Sequence, residues 1–302
     1  RDDVESRGLG DVYKRQNMTI TGEGIQAKRR GSACLIEHLP APQSRAGVYD
    51  ELEELEKLMD EYVHFEKTQP EKLDAIAELV RAKAIEANLQ DEIEYNEDEP
   101  FGEYIQRLHS YISDLKNLEV HIGLHILGQP PEEERLTEFM WLLTRLDNGD
   151  VPSLNQTLAG YYGFDYYELL DNSGSVYESL NITYGALLDK MYQQSREIIL
   201  LLQSQDFVPA AVENVLALEW VQTGSAEFKA QLEQVCNYIC NSIYPNLLLT
   251  KQEQDNLLGG FEAQYVEPGP SGAPSSGGAD LLPTGRNFCG VDPRTLPTPA
   301  AW

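Results

Sequence analysis

The residues best suited to chemistry lie at the end of the chain, between Leu282 and Trp302. Prolines at positions 283, 293, 297 and 299 fix φ and remove backbone donors there, which excludes the segment from a helix interior or a central strand. We therefore predict an extended, turning segment that lies over other parts of the protein. Its polar side chains suit an anionic or amide-bearing ligand, or else pair with one another in a structural role; they are Arg286, Asn287, Asp292 and Arg294.

A dense basic cluster occurs near the other end of this strongly acidic chain, at Lys28, Arg29 and Arg30. Guanidinium groups bind carboxylate and phosphate oxygens through paired hydrogen bonds. Two interpretations remain open, a ligand-binding cluster or a solvated face that pairs with a neighbouring acidic helix.

Two histidines four residues apart, His121 and His125, have the spacing by which one helix face binds zinc. Gly123 lies between them, and the following Ile126 and Leu127 are typical of a strand, which disfavours a helical metal site. His125 is either a residue that faces a functional site or a hydrogen-bonded structural histidine.

The cysteines show no disulfide or zinc-ribbon spacing. Cys236 and Cys240 share one face of a predicted helix, where small buried hydrophobic side chains are a better interpretation than a soft-metal site.

Charge and hydropathy exclude several classes of protein. Among 302 residues, 23 are basic and 50 acidic, for a net charge of −27, which opposes binding to nucleic acid or anionic membranes. No apolar run reaches the length of roughly 18 residues that a membrane span requires. We expect a reducing, cytoplasmic location. The sequence also lacks a GxxxxGK[ST] nucleotide-binding loop, so any ATP hydrolysis must come from partner subunits.

Apolar residues that repeat at three and four positions predict a mostly α protein with a few short strands (α+β). In the first three predicted helices, the positions expected to share one face are Val48, Leu52, Leu55, Met59 and Tyr62, then Leu73, Ile76, Val80 and Ala84, then Tyr104, Leu108, Tyr111, Leu115 and Leu118. The predicted helices cover residues 47–65, a segment after Pro70, 104–118, a segment opened by Pro130 and Pro131, 177–203, 209–220, 226–244 and a last helix capped by Thr250.

Several longer motifs occur in a fixed order. They are QAKRRG at 26–31, IEHLPAP at 36–42, GLHILG at 123–128, YVEPGPSGAP at 265–274, and LPTGRN, DPR and LPTPAAW in the last segment. Together they resemble the large subunits of ATP-dependent metal chelatases, the family of aerobic cobaltochelatase (CobN) and the magnesium chelatase H subunit. The resemblance extends over residues 17–302.

The resemblance implies an internal fragment of a large multidomain chelatase subunit, inactive alone. It implies insertion of cobalt into the corrin precursor hydrogenobyrinic acid a,c-diamide in cobalamin biosynthesis, with ATP hydrolysed by AAA+ partner subunits. The alternatives are insertion of magnesium into protoporphyrin IX and a non-catalytic helical interaction module. It implies a catalytic role for His125 within the GLH motif, unidentified metal ligands, and tetrapyrrole contacts at Lys28, Arg29, Arg30, His38, Arg286, Asn287, Asp292 and Arg294.

We expect four segments along the chain. Residues 1–16 do not match the family and read as a non-native translation artefact. Residues 17–128 form an α-rich segment with the QAKRR and GLH motifs, and 129–266 a helical segment. Residues 267–302 form an ordered Gly/Pro-rich wrap, truncated at its C-terminal end.

Overall fold

The structure is a computed structural model that describes residues 33–48, 51–270, 274–275 and 277–289. The chain divides into two compact units. The first unit comprises Arg1–Gln43, His121–Leu154 and Ile198–Trp302, and the second comprises Ser44–Val120 and Asn155–Glu197. Each unit is therefore assembled from segments that are distant in sequence.

The described residues are mostly helical, as predicted, with three two-stranded sheets, β1–β2, β3–β4 and β5–β6. The helices are α1 (Glu51–Thr68), α2 (Leu73–Glu86), α3 (Phe101–Asn117), α4 (Glu133–Thr144), α5 (Leu154–Tyr162), α6 (Tyr166–Asp171), α7 (Tyr184–Gln203), α8 (Ala211–Leu216), α9 (Glu219–Gln222), α10 (Ala226–Tyr238), α11 (Tyr244–Leu248) and α12 (Gln252–Phe261). The strands are β1 (Gln43–Arg45), β2 (Glu119–His121), β3 (Val176–Tyr177), β4 (Ile182–Thr183), β5 (Pro268–Pro270) and β6 (Asn287–Cys289). In the described part of the chain, no helix is both long enough and apolar enough to cross a membrane.

The second unit is built around a core that α1, α2 and α3 share. Its buried side chains repeat at helical spacing, because one face of each helix packs inward; they include Leu55, Met59, Tyr62, Ile76, Val80, Ala84, Tyr104 and Leu108. These positions were predicted from the sequence. Leu118 was also predicted to face inward, but it lies beyond the end of α3 and is 55% exposed.

Three of the predicted helices have wrong bounds. The single helix predicted over 209–220 is two short helices, α8 and α9. The helix expected from Tyr177 begins at Tyr184, because residues 176–183 form a hairpin in which β3 pairs antiparallel with β4. The helix expected to end near Pro245 continues as a π-helical segment, Ile239–Ile243, and then as α11. Pro245 follows directly on the π-helical segment, and the helix changes its hydrogen-bond pattern at the point where the proline supplies no N–H.

Prolines and acidic residues define the start of α4 in the first unit, as predicted. Pro130 and Pro131 precede the helix, and Glu133 and Glu134 occupy its first turn, where negative charge favours the N-terminus. Every side chain from Leu136 to Thr144 is buried, so α4 is a central helix of this unit. Further along the chain, α12 follows directly on a 3₁₀ turn, Leu249–Lys251. Thr250 lies within this turn and does not cap α12, contrary to the prediction from the sequence.

Candidate functional site

A buried carboxylate in the first turn of α12 organises the candidate site. The side chain of Glu253 is fully buried. Its Oε1 accepts hydrogen bonds from Leu39 N (2.6 Å) and Thr284 Oγ1 (2.6 Å). Its Oε2 accepts one from Gly128 N (3.0 Å) and contacts His125 Nε2 at 2.6 Å. One side chain thus joins α12 to three segments that are distant in sequence.

The protonation state of Glu253 follows from these contacts. Burial raises the pKa of the carboxyl group, but hydrogen bonds from His125, Thr284 and the two backbone amides outweigh it and hold the pKa below its usual range. A carboxylate only accepts hydrogen bonds, so His125 Nε2 must donate the proton that they share. In the neutral ring, Nδ1 of His125 then carries the lone pair.

A second imidazole lies against His125. The rings of His38 and His125 are stacked, with centroids 5.7 Å apart and planes inclined by 10°. Nδ1 of His38 lies 2.8 Å from Leu39 O. Because a carbonyl oxygen only accepts, Nδ1 is the donor, and in the neutral ring Nε2 holds the lone pair. The site therefore presents two basic imidazole nitrogens, one on an exposed ring and one on a ring whose side chain is 9% exposed.

The space beside His125 is small. A cavity of about 60 Å³ is lined by the loop that carries the histidine and by the start of α4, enough for one or two water molecules. Next to it, Leu124 and Ile126 are 83% and 55% exposed. A large planar ligand can reach this site only across the exposed loop surface, not inside the cavity.

The loop around His125 differs from the prediction. Instead of a strand, a turn forms at Leu127 and Gly128, closed by a hydrogen bond from Gln129 N to Ile126 O (2.9 Å). Gly128 has a φ of +79° and leaves room for the side chain of Gln254, which an added Cβ would meet at 2.8 Å. This left-handed residue directs its N–H toward Glu253.

The two histidines of the loop do not converge. His121 is exposed and its Nε2 lies 3.2 Å from Nε2 of Gln43, whereas His125 contacts Glu253. Among the residues that the structure describes, no group of three or more His, Cys, Asp or Glu side chains could hold a metal ion.

Arg286 is held within the Gly/Pro-rich wrap. Its Nε lies 3.4 Å from Glu37 Oε1, and its Nη2 donates to the carbonyl oxygens of Pro270 (3.3 Å) and Leu281. Gly269 packs so closely that an added Cβ would meet Arg286 Nε at 2.4 Å. These contacts give the guanidinium group a structural role, and its contact with substrate stays a prediction.

Asn287 also joins distant segments. Its Oδ1 accepts from Leu35 N (3.3 Å), and its backbone N donates to Glu267 O (2.9 Å). It begins β6, which pairs in parallel with β5, Pro268 opposite Asn287. The prediction that this segment joins no central strand is confirmed only in part, because Asn287 pairs with Pro268 and also forms an antiparallel bridge with Ile36.

Several predicted site residues lie outside the described part of the chain, namely Lys28, Arg29, Arg30, Asp292 and Arg294. The sequence interpretation missed Glu253, Thr284 and Glu37. Thr284 lies within the LPTGRN motif, which was a signal. Glu253 gave none, because glutamate is ordinary in the first turn of a helix.

Cys236 and Cys240 do not contribute to the contacts around Glu253. Cys236 and Cys240 are buried, and burial raises the pKa of both thiols, that of Cys240 to about 11. Neutral buried thiols support the interpretation of these residues as small hydrophobic side chains.

Comparison with known proteins places this geometry in context. A family model described as CobN/Magnesium Chelatase matches residues 15–302. The aerobic cobaltochelatase subunit CobN of Pseudomonas aeruginosa is 31% identical over 296 residues, which cover 93% of this chain and 22% of the relative. The magnesium-chelatase H subunit of Chlorobaculum parvum is 27% identical over 284 residues, again 93% of this chain and 22% of the relative.

A solved structure agrees with this similarity. The catalytic subunit of cobaltochelatase from Mycobacterium tuberculosis superposes with a TM-score of 0.75 and 28% identity, over 95% of this chain and 23% of that one. The chain therefore spans less than a quarter of the length of the relatives that it matches.

Proposed function

Because this chain belongs to the CobN/magnesium chelatase family, we propose that it is part of the tetrapyrrole-binding large subunit of a cobaltochelatase. The proposed reaction inserts cobalt into a corrin precursor, hydrogenobyrinic acid a,c-diamide, during cobalamin biosynthesis in the cytoplasm. The higher identity to CobN subunits than to the magnesium-chelatase H subunit supports cobalt. Magnesium insertion into protoporphyrin IX is the alternative, because relatives of that type align over an equal share of the chain.

The observation that carries this proposal is the pairing of His125 with the buried carboxylate of Glu253. Insertion of a divalent cation breaks two pyrrole N–H bonds, leaves both electron pairs on nitrogen to bind the metal, and releases two protons. A neutral imidazole with a free lone pair is a suitable proton acceptor. Glu253 fixes which nitrogen that is, and its negative charge stabilises the imidazolium that forms.

The surroundings fit a macrocycle bound at the surface. The exposed side chains of Leu124 and Ile126 lie beside the imidazole and supply apolar area for a flat ring. We further propose that polar groups of the substrate periphery contact His38, Arg286 and Asn287. The same role is proposed for residues outside the described part of the chain, which are Lys28, Arg29, Arg30, Asp292 and Arg294.

Metal insertion by this family is proposed to need partner subunits. The chain has no GxxxxGK[ST] loop, so we assign ATP hydrolysis to AAA+ ATPase subunits that act with the large subunit. Cobalt is the substrate ion in this scheme, with magnesium in the alternative.

Side-by-side absorbance titrations test substrate choice. The chain and its parent subunit are each titrated with the corrin precursor and with protoporphyrin IX. Tighter binding of the corrin precursor is expected. Tighter binding of protoporphyrin IX would favour the magnesium alternative, and binding of neither would refute tetrapyrrole binding in favour of an interaction module.

A matched pair of histidine variants tests the mechanism in the parent subunit with its partners. His125→Asn is expected to slow metal insertion by about 10²- to 10⁴-fold, the usual contribution of a general base, with little change in substrate affinity. His121 lies on the same exposed loop, and within the described residues its imidazole makes one hydrogen-bond contact, with Gln43, so His121→Asn should keep the parent rate. Equal effects of the two substitutions would contradict the assignment of His125.

A further inference from the structure

A groove in the second unit lies apart from the site around Glu253. It is formed by the C-terminal end of α2, the loop at 87–100 and the first turns of α3, and it encloses about 540 Å³. It continues into a shallower depression of about 710 Å³ along the same loop, which shares Glu94, Tyr95 and Glu97 with it. We call this continuous surface the α2–α3 groove.

The floor of the α2–α3 groove is apolar. Ile85 is 61% exposed at its edge although it is a large hydrophobic residue. Beside it, the rings of Tyr95 and Tyr104 meet edge to face, with centroids 5.1 Å apart. Aromatic and aliphatic side chains arranged in a concave surface typically mark the centre of a binding interface.

The rim is acidic. Asp91, Glu94 and Glu97 are exposed, and none of these carboxylates forms an ion pair within the described ranges. Two cations line the surface, and both are paired. The guanidinium of Arg81 lies 4.7 Å from the centre of the Tyr95 ring and pairs with Glu78 at 3.2 Å, and Arg107 pairs with Glu99. The rim therefore carries an excess of uncompensated negative charge around an apolar floor.

The groove is formed in advance of any binding. The loop that builds it contains the buried residues Leu89 and Ile93, and Ile93 N donates to Leu89 O at 2.8 Å. Arg107 fixes its other end, by a hydrogen bond from Nη2 to Glu94 O (2.9 Å) and an ion pair with Glu99. A preformed surface avoids the entropic cost of ordering a loop on association.

We propose that the α2–α3 groove docks a segment of a basic protein partner. An apolar side chain of that segment packs on Ile85 and Tyr95, and flanking lysine or arginine side chains lie against Asp91, Glu94 and Glu97. The charge of the surface selects this occupant, because nucleic acid and a second copy of this acidic chain would both be repelled.

Fluorescence anisotropy on the full chain tests the proposal. The probe is a short labelled peptide of lysine and leucine, compared with a lysine–glycine peptide without apolar side chains and with a glutamate–leucine peptide. The lysine–leucine peptide is expected to bind most tightly. Its affinity should fall as ionic strength rises, because the Debye length at 0.1 M salt is about 10 Å and exposed charges are screened beyond that distance. The glutamate–leucine peptide should not bind.

Two variants separate the rim from the floor. Glu94→Gln with Glu97→Gln removes two exposed charges and is expected to weaken binding of the lysine–leucine peptide about two- to thirtyfold, as the loss of two surface ion pairs predicts. Ile85→Ser should reduce that affinity to the level of the lysine–glycine peptide. Neither change touches the buried core, and circular dichroism checks that each variant is folded.

A matched control decides whether the groove or the overall charge is responsible. Glu71→Gln with Asp74→Asn removes the same charge beside the opposite end of α2 and should leave the affinity unchanged. Equal weakening by the two charge variants would overturn the proposal, as would equal affinity of the lysine–leucine and lysine–glycine peptides, or an absence of binding by both.

Discussion

Replacing Glu253 by glutamine keeps the shape of its side chain but removes its charge and one of its two acceptors. The carboxylate receives two hydrogen bonds on each oxygen, whereas the amide has one accepting oxygen and one donating nitrogen. In Glu253, Oε2 lies 3.0 Å from Gly128 N, and Oε1 lies 2.6 Å from Leu39 N. Because the hydrogen bond to Leu39 is the shorter one, we expect the amide oxygen of the glutamine to keep it and the amide nitrogen to face Gly128.

This orientation reverses the tautomer of His125. With an NH₂ group in place of Oε2, Nε2 of His125 becomes the acceptor, and the ring proton moves to Nδ1. Gly128 N–H is left facing a second donor. We therefore expect Glu253→Gln to remove the lone pair that the proposed mechanism uses, without any direct change to the histidine.

The energetic cost follows from the same contacts. A buried N–H without an acceptor costs about 1–3 kcal/mol, and the remaining hydrogen bonds lose the extra strength that a charged acceptor gives them. Avoiding the burial of a charge offsets part of this cost. We expect the first unit to lose about 3 kcal/mol of its free energy of unfolding, a large share of the stability of about 5–15 kcal/mol that is typical of a domain.

Urea unfolding followed by tryptophan fluorescence measures this loss, because Trp141 and Trp220 both lie in the first unit. With an m-value of about 1–3 kcal/mol per molar urea, the midpoint should fall by roughly 1–3 M. Nitrogen NMR shifts of His125 report its tautomer. The matched control is Asp255→Asn on the same helix, an exposed residue whose only described ion pair spans 3.7 Å to Lys251; its expected effect is below about 0.5 kcal/mol.

A Glu253→Gln protein that unfolds at the same urea concentration as the Asp255→Asn control would refute the cost assigned to the lost acceptor. An unchanged tautomer of His125 in a destabilised variant would contradict the orientation of the amide but not the cost of the lost acceptor.

Two further predictions concern a glycine and a pair of titratable groups. Gly285→Ala should destabilise the first unit by more than about 2 kcal/mol in thermal unfolding, because the φ of Gly285 is +91° and an added Cβ would lie 2.6 Å from Glu253 N. The control is Gly260→Ala, whose added Cβ would have no atom within 4 Å and which should be neutral or stabilising by up to about 1 kcal/mol. Burial raises the pKa of Asp60 from 3.8 to about 6, so the folded state binds more protons than the unfolded one between these values and stability falls as pH rises. Burial, aided by the charge of Lys116, lowers the pKa of His109 from 6.5 to about 4, so this group makes stability rise with pH. Asp60→Asn should therefore make the free energy of unfolding, measured with urea, rise more steeply from pH 4 to 6. An unchanged slope would contradict the raised pKa of Asp60.

Periodicity predicted the helical core well because it reports burial directly. Ile76, Val80 and Ala84 were placed on one face of α2 from their spacing alone, and all three are buried. The same reasoning failed at Leu118, where the spacing continued after the helix had ended. It also failed at Tyr177, because a two-residue strand is too short to show an alternating pattern.

The candidate site was predictable only in part. His125 and Arg286 were found because they lie in motifs whose order resembles a known family. Glu253 could not be found, since its contacts with Leu39 and His125 join residues more than 100 positions apart and leave no local pattern. The assignments of a catalytic and a substrate-binding role stay predictions.

The position of Glu253 couples stability to chemistry in the first unit. The carboxylate that selects the tautomer of His125 is also the acceptor for Thr284 in the Gly/Pro-rich wrap and for Leu39 in the segment before β1. Removing the Thr284 hydroxyl would therefore leave the charge less stabilised and move the pKa of Glu253 upward. The Gly/Pro-rich wrap thus contributes to keeping Nδ1 of His125 available as the proposed base, although no hydrogen bond joins Thr284 to an imidazole within the described residues.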